Sequence, residues 1–242
     1  MREARPEEVL IALLARLIGR ARHVGVGALS PIPAMAAFLA QAGSAEPMQI
    51  TVLGSRRHNH FTDGGRELFD CAGQGRLDVF FLSGGQIDGQ ANLNLVGSGG
   101  YPGRTVRFPG SFGSAYLYFV VPQVILFREE HSPRVFVPKV DFVSAPGVSA
   151  PNVYRPGGPA ALITGKAHFA FDRSRARFRL VSVHPGMTVE EVRRETGFAF
   201  DEAAPVLITD RPDGTTLDLI RGPIVAKVEE TYPRFAERLL AS

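Results

Sequence analysis

Residues 80–94 read FFLSGGQIDGQANLN. The three apolar residues at the start are typical of a buried strand, and the glycines with Gln, Asp and Asn side chains that follow indicate a polar loop. A second glycine-rich piece, FPGSFGSA, comes soon after at residues 108–115. Because ligands of open α/β sheets bind outside the carboxyl ends of the strands, we expect a site near these two pieces.

Upstream of this stretch the sequence alternates helix and strand patterns. Strands are predicted over residues 23–27, 47–53 and 77–82, and helices over residues 6–20, 31–41 and 67–75. Pro6 with Glu7 and Glu8 is typical of a helix start, and Ser30 is predicted to cap the second helix. Short β-α-β connections favour a parallel sheet, so the predicted fold class is α/β, an open mostly parallel sheet flanked by helices.

Downstream the pattern changes to an antiparallel segment. Residues 161–163, 168–171 and 177–183 alternate like antiparallel strands, and residues 135–143 predict two more short strands. Thr188 and Glu191 form a capping-box pattern for a helix that Gly197 is predicted to end. The four prolines and three glycines of residues 145–159 indicate a subdomain connection or a long surface excursion.

A single domain over residues 1–242 is predicted, with a core of about residues 22–200 and a C-terminal tail of about residues 201–242. The part of this tail from residue 214 onward is predicted to be partly helical and to pack on the outside or on a partner.

Composition excludes several classes of protein. The chain has 242 residues, 45% of them hydrophobic, and its 27 basic side chains are spread along the sequence, which argues against a nucleic-acid partner. One cysteine, Cys71, excludes an internal disulfide and is predicted to be a buried apolar residue. No stretch has the length of a membrane span or the pattern of a secretory signal, so a cytoplasmic protein without a membrane partner is expected.

Four motifs carry a resemblance to a known family. They are the loop of residues 84–94, the glycine-rich residues 109–114, KVDFVSAPG at residues 139–147 and HPGMTVEEVRRETG at residues 184–197. In this order, over residues 24–200, they resemble the β subunit of class I coenzyme A transferases of the glutaconate type. The resemblance implies an open α/β fold and an α/β heteromer with its active site between the subunits.

One position departs from this family. In the transferases, a β-subunit strand ends in a glutamate that attacks the acyl-CoA thioester. The corresponding strand here reads ITVLGS at residues 50–55, and the glutamate position falls on Leu53. Leucine has no nucleophilic group, and no acidic residue lies between Glu46 and Asp63, so transfer through a glutamyl thioester is disfavoured.

A transferase scaffold without this glutamate resembles the β subunit of the bacterial hydrolases that open the last steroid ring in cholesterol degradation. That resemblance implies hydrolysis of a carbon–carbon bond in a bicyclic keto-acyl-CoA, with coenzyme A as part of the substrate and no separate cofactor. It also implies an α subunit that carries the main acid/base group, in an α2β2 heterotetramer. Two alternatives stay open: a CoA transferase whose nucleophile lies elsewhere, and a non-catalytic structural partner of the α subunit.

Ring opening by water needs donors for a tetrahedral oxyanion, and no residue of this chain is assigned a certain catalytic role. The glycine-rich piece is the candidate for these donors, through Gly110, Ser111, Gly113 and Ser114. Phe112 is predicted to shape an apolar pocket for the substrate. Alternatively, the glycines only allow a close connection between a helix and a strand.

The predicted substrate-binding residues are Leu53, Gly54, Ser55, Phe112, Gln86 and Asn92. Gln86, Asn92 and their neighbours Asp88 and Asn94 could instead fix the backbone of their own loop, which is the preferred interpretation.

Polar residues follow the strand that lacks the glutamate. His58, His60 and Asp63 are the candidate polar substitutes for that carboxylate, and a base, a substrate contact or a solvated loop are the alternatives. The spacing is too loose to predict a metal site. Four arginines could meet CoA phosphates or form surface pairs: Arg56, Arg57, Arg104 and Arg107.

Overall fold

The computed structural model describes residues 3–100, 102–103 and 105–241. In chain order the elements are α1 (Pro6–Ile18), β1 (His23–Val26), α2 (Pro31–Ala42), β2 (Gln49–Val52), α3 (Gly64–Gly73), β3 (Val79–Leu82), β4 (Gln86–Ile87), β5 (Leu93–Asn94), β6 (Gly97–Ser98), β7 (Val106–Arg107), α4 (Ser114–Val120), β8 (Gln123–Arg128), β9 (Pro159–Thr164), β10 (Ala167–Asp172), β11 (Arg177–Val183), α5 (Val189–Glu195), β12 (Asp201–Ile208), α6 (Gly214–Leu219), a π-helical turn (Ile220–Ile224), α7 (Val225–Val228) and α8 (Pro233–Leu240).

The described residues fall into two compact units. Unit 1 comprises the chain up to Phe81 together with the segment from Asp210 onward, and unit 2 comprises Leu82–Thr209. In the part of the chain that the structure describes, no helix is both long and apolar enough to cross a membrane. The prediction of a single domain stays a prediction.

Unit 1 is built on three parallel strands in the order β3–β1–β2, as the helix–strand alternation predicts. The central strand β1 is buried along its whole length, and α1 and α2 bury most of their apolar residues. Pro6 begins α1, and Glu8 in its first turn accepts a hydrogen bond from the backbone N–H of Arg5 at 2.8 Å. Ser30 precedes α2, but its hydroxyl donates to the Ala28 carbonyl, so the predicted side-chain cap is wrong.

The C-terminal segment belongs to the core of unit 1. Ile220, Ile224 and Val228 are buried, and Arg221 forms an ion pair with the fully buried Glu8. The apolar side chains of this segment are therefore used inside the chain, and its predicted packing on the outside or on a partner stays a prediction.

Unit 2 combines parallel and antiparallel strands. β8 pairs with β9 in parallel, β10 pairs antiparallel with both β9 and β11, and β12 pairs in parallel with β11. Phe169 of β10, Phe178 of β11 and Phe136 are fully buried in this unit. The predicted antiparallel segment is confirmed, and the mostly parallel sheet with flanking helices confirms the predicted fold class.

Three local expectations for unit 2 need comment. Residues 135–143 form no strand, because Val137 N–H and the Val135 carbonyl bond only with Ile87, in an isolated bridge. Thr188 and Glu191 make the predicted capping box of α5. Gly197, predicted to end α5, instead allows a close approach, since a Cβ there would lie 2.3 Å from the Phe136 carbonyl oxygen.

The proline-rich residues 145–159 lie entirely within unit 2. Of the two alternatives, they are therefore a surface excursion and not a connection between the units. Pro151, Asn152, Val153 and Tyr154 at its tip are exposed.

Candidate functional site

The glycine and amide loop at the carboxyl end of β3 is held by its own side chains. Gln86 Oε1 accepts from Asn94 Nδ2 at 2.7 Å and from the Asp141 N–H at 3.0 Å, and Gln86 Nε2 donates to Asp141 Oδ2 at 3.1 Å. Asn94 Oδ1 in turn accepts the N–H groups of Val96 and Gly97. The polar atoms of Gln86 are thus engaged inside unit 2.

Asp88 organises the turn that follows. Its Oδ1 accepts the N–H groups of Gln90 and Asn92 at 3.0 and 3.1 Å, and its Oδ2 accepts Asn92 Nδ2 at 3.1 Å. Asn92 Oδ1 accepts the N–H of Gly147 at 3.1 Å. This geometry supports the interpretation that Asp88 and Asn92 fix the backbone, whereas a substrate contact for Gln86 or Asn92 stays a prediction.

Two of the four sequence motifs lock together here. The Ser144 hydroxyl accepts the Leu95 N–H at 2.6 Å and donates to the Leu93 carbonyl at 3.0 Å. Gly147 approaches so closely that a Cβ would lie 2.1 Å from the Gln90 carbonyl oxygen. The motifs of residues 84–94 and 139–147 are therefore a scaffold in which buried polar groups satisfy one another.

The glycine-rich residues 110–114 lie beside this scaffold. The Gly110 N–H donates to the Leu95 carbonyl at 3.0 Å, and the Ser114 N–H donates to the Ser111 carbonyl at 2.7 Å. These two N–H groups already donate inside the chain, and the predicted role of Gly110 and Ser114 as oxyanion donors stays a prediction. Donation by Ser111 and Gly113 stays a prediction.

This piece has an unusual backbone. Gly110, Phe112 and Gly113 have φ angles of 105°, 38° and 71°, and Phe112 is the one with a side chain in this left-handed region. A non-glycine residue there costs about 1 kcal/mol or more. The Phe112 ring is 73% exposed, which is compatible with its predicted role toward an apolar ligand.

In unit 1, the turn after β2 carries Leu53, the position to which the resemblance assigns the glutamate of the transferases. Leu53 follows the strand directly and donates its N–H to the Val26 carbonyl at 2.9 Å, and Gly54 has a φ of 88°. Ser55 is only 5% exposed, and its hydroxyl accepts the N–H groups of Arg57 and His58 at 3.2 and 3.0 Å. Leu53, Gly54 and Ser55 therefore form one compact turn at the carboxyl end of β2, and their predicted contact with substrate stays a prediction.

A carboxylate that the sequence did not single out reaches this turn. Glu230 Oε1 accepts the Arg56 N–H at 2.8 Å, and Glu230 Oε2 accepts the Ser55 hydroxyl at 3.1 Å. The Arg56 N–H, followed by the other donors, holds the pKa of Glu230 below its usual value. Glu230 lies 174 positions from Arg56 along the chain, so no local sequence signal could connect them.

His58 is half-buried beside this turn. Its ring meets the Phe38 ring edge-on at 4.7 Å between centroids, and Lys227 Nζ lies 5.0 Å from the centroid of that same Phe38 ring. Burial lowers the pKa of His58 and Lys227 lowers it further, whereas the charge of Glu230 raises it. The lowered pKa favours the neutral imidazole of His58 near neutral pH, and a role as a base stays a prediction.

The other predicted polar substitutes are more exposed. His60 is exposed, and Asp63 forms an exposed ion pair with Arg66 at 3.0 Å. Among residues 3–100, 102–103 and 105–241, no group of His, Cys, Asp or Glu is arranged to hold a metal ion. Of the arginines, Arg56, Arg57 and Arg107 are exposed, and Arg104 lies outside the described residues.

Cys71 is buried, as predicted, in the wall of a cavity of about 540 Å³ in unit 1. Its Sγ lies 3.7 Å from His23 Nδ1, but that nitrogen donates to the Arg76 carbonyl at 3.0 Å. Burial raises the pKa of the Cys71 thiol. Because His23 Nδ1 already carries a proton, it cannot take one from Cys71, and this pair is not an activated nucleophile.

Comparison with known proteins decides the family. The model of the coenzyme A transferase family matches residues 10–195, well over half of the chain. The chain belongs to the coenzyme A transferase family. The family predicted from the four motifs is thereby confirmed.

Curated members of the coenzyme A transferase family match part of the chain. The β subunit of the 3-oxoadipate CoA-transferase of Pseudomonas knackmussii is 33% identical over 61% of this chain and 58% of its own length. The β subunit of the glutaconate CoA-transferase of Acidaminococcus fermentans is 31% identical over 60% of this chain and 56% of its own length. The IpdB subunit of the cholesterol ring-cleaving hydrolase of Rhodococcus jostii is 28% identical over 64% of this chain and 62% of its own length. The matched region thus spans less than two thirds of each curated relative.

Solved structures of this family cover nearly all of the fold. The decarboxylase AibA/AibB aligns with a TM-score of 0.76 at 25% identity, over 90% of this chain and 94% of that one. The Rhodococcus jostii IpdAB structure aligns with a TM-score of 0.81 at 24% identity, over 91% of this chain and 94% of that one. These similarities establish that the chain has the coenzyme A transferase fold.

Proposed function

We propose that this chain is the β subunit of a heteromeric hydrolase that opens the ring of a bicyclic keto-acyl-CoA in steroid degradation. In this reaction water adds to the ring ketone, the adjacent carbon–carbon bond breaks, and the carbon that leaves takes up a proton. The products are a new carboxylate and an opened chain whose thioester is intact.

Leu53 is the observation that carries this proposal. It occupies the first position after β2, where the resemblance places the nucleophilic glutamate of the transferases. A hydrocarbon side chain there cannot form a glutamyl thioester, but it can line an apolar pocket for a polycyclic acyl group. A family member that binds an acyl-CoA without attacking it fits a reaction in which the thioester survives.

In this proposal the chain contributes the scaffold, the substrate pocket and stabilisation of the oxyanion, and an α subunit contributes the main acid/base group. The 28% identity to the cholesterol ring-cleaving hydrolase subunit supports the substrate class, and the heteromeric relatives support the α partner. We propose an α2β2 assembly in the cytoplasm, with coenzyme A as part of the substrate and no separate cofactor. The neutral His58 and the exposed Phe112 are this chain's candidates for contact with water and with the acyl group.

A CoA transferase is the second candidate, and a specific observation favours it. The identities to the two transferase β subunits, 33% and 31%, exceed the 28% to the hydrolase subunit. Such an enzyme needs another nucleophile, and Glu230 is the carboxylate that reaches the turn containing Leu53. A non-catalytic structural partner is the third candidate.

The experiment is co-expression with the chain encoded in the neighbouring reading frame, followed by assay of the complex on a bicyclic keto-acyl-CoA. Consumption of the substrate without release of free CoA is expected. Transfer of CoA to an added carboxylic acid, or a carboxylate labelled by borohydride after incubation with acyl-CoA, would favour the transferase. Stoichiometric release of free CoA would count against the ring-opening hydrolase. Full activity of the α chain in isolation would favour the structural partner.

Two variants sharpen this assay. Gly113→Val places a branched side chain at a φ of 71° in the glycine-rich piece, and should abolish turnover. Gly100→Ala is the matched control, because a Cβ there meets nothing within 4 Å, and should leave turnover unchanged. Equal activity of the two variants would count against a role for the glycine-rich piece.

A further inference from the structure

The C-terminal segment of unit 1 delivers one carboxylate to the turn after β2. Glu230 lies between α7 and α8, and each of its oxygens accepts a hydrogen bond from the turn: Oε1 from the Arg56 N–H at 2.8 Å and Oε2 from the Ser55 hydroxyl at 3.1 Å. The Thr231 hydroxyl approaches Oε2 at 3.4 Å. A carboxylate whose two oxygens both accept hydrogen bonds is fixed in place and is a poor nucleophile.

Ser55 connects Glu230 to the rest of the turn through hydrogen bonds. Because the Ser55 hydroxyl gives its hydrogen to Glu230, its oxygen is free to accept the N–H groups of Arg57 and His58 at 3.2 and 3.0 Å. The His58 carbonyl then accepts the Val52 N–H at 2.8 Å, which ties the loop back to β2. One carboxylate therefore sets the path of the backbone from Ser55 to His58.

His58 is the titratable side chain that this backbone carries. The groups that act on its charge are Glu230, which favours the protonated form, and Lys227, His60 and Arg57, which oppose it. Its ring packs on Phe38 from α2. Glu230 is thus linked to His58 twice, through the backbone of the turn and through its charge.

We propose that Glu230 is a positioning residue of the site at the end of β2, which locks the turn of residues 55–58 and orients His58 toward the reacting group. The chemical part of this inference rests on the proposed ring-opening function, whereas the linkage between Glu230 and His58 does not. The C-terminal segment is then a working part of the site and not only a packing element.

The first test uses this chain alone. The His58 imidazole is titrated by NMR in the wild-type chain, in Glu230→Gln and in Glu229→Gln. Glu229 is the exposed residue next to Glu230, so Glu229→Gln is a control that removes a charge of the same sign. In Glu230→Gln the His58 midpoint should move to lower pH, and the amide protons of Arg57 and His58 should exchange faster. Glu229→Gln should match the wild type. An identical His58 titration in all three proteins overturns the inference.

The second test uses the complex with the α subunit. Glu230→Gln should lower kcat about 10- to 100-fold with little change in KM, and should move the acidic limb of the pH profile to lower pH, because a misplaced reacting group costs rate more than binding. Ser55→Ala, which keeps the carboxylate and removes the relay hydroxyl, is the second variant and should also lower kcat. Unchanged kcat in both variants overturns the inference.

The outcomes separate this inference from the function on which it draws. A displaced His58 titration in a complex that opens no ring refutes the proposed function and leaves the link between Glu230 and His58 in place. Ring opening that is indifferent to Glu230 leaves the proposed function in place and refutes the positioning role of Glu230 in it. An acyl label on Glu230 itself would make it the nucleophile of a transferase and would overturn both.

Discussion

His131 should make the stability of unit 2 depend on pH. It is 6% exposed, with Nδ1 2.8 Å from the Thr164 hydroxyl and Nε2 2.9 Å from the Thr196 hydroxyl. Thr196 gives its own hydrogen to the Val192 carbonyl at 2.7 Å, so Nε2 carries the proton and Nδ1 accepts from Thr164. This arrangement suits a neutral ring, because a second proton would force the Thr164 hydroxyl to turn to the Ala167 carbonyl at 3.3 Å.

The magnitude follows from the pKa. Burial, followed by the charge of Lys166, lowers the pKa of His131 from 6.5 to about 4. Between these values the unfolded chain binds a proton that the folded chain does not, so this contribution to stability is present above pH 6.5 and is lost as the pH falls toward 4. The loss approaches about 3 kcal/mol in full, and about 2 kcal/mol of it falls between pH 7 and pH 4.5.

Urea unfolding measures the free energy of unfolding of the wild type and of His131→Gln at pH 7 and at pH 4.5. The carboxylates contribute equally to the two proteins, so the difference between them isolates the contribution of His131. Between pH 7 and pH 4.5 the free energy of unfolding of the wild type should fall by about 2 kcal/mol more than that of the variant. His60→Gln, at an exposed site, is the control, and its free energy of unfolding should fall as much as that of the wild type. Equal losses in the wild type and His131→Gln would refute the reasoning. Should the variant not fold, a His131 NMR midpoint near 6.5 in the wild type would refute it as well.

Three further predictions concern the scaffold and the thiol. Gly147→Ala should destabilise the chain by about 3 kcal/mol in urea unfolding, since its Cβ would meet backbone atoms at 2.1 Å, whereas Gly100→Ala should change it by less than about 0.5 kcal/mol. Asp88→Asn sets an NH2 group against N–H donors and should cost about 2 kcal/mol; an unchanged midpoint would contradict the role given to that carboxylate. Cys71 is 7% exposed with a raised thiol pKa, and should react with a thiol reagent only after unfolding; rapid labelling of the folded chain would contradict its burial.

The sequence predicted the elements whose signals are local. Pro6 with two acidic residues, the Thr188–Glu191 capping box and the alternating strands after residue 160 each depend on neighbours within a few positions, and each is confirmed. Residues 135–143 look like strands by composition, but a strand also needs a partner with free backbone groups. Ile87 satisfies only one short bridge there, so the strands do not form.

The candidate site divides in the same way. The sequence alone shows that residue 53 is a leucine and carries no carboxylate. The loop of residues 84–94 was expected beside a site, and its polar side chains instead hold one another and the segment of residues 139–147. Which atoms of a buried amide or carboxylate remain available depends on partners that lie 55 residues away.

The sequence by itself determined the fold class and the family, because these rest on local patterns and on residue identity. It also places a leucine at residue 53, where the resemblance predicts the glutamate of the transferases. Only the tertiary structure decided that Glu230 reaches the turn after β2, that the C-terminal segment completes the core of unit 1, and that His131 is buried as a neutral ring. Each of these joins residues far apart in the chain, and the free energy that selects such contacts comes from burial and hydrogen bonding in the folded chain, which no window of sequence contains.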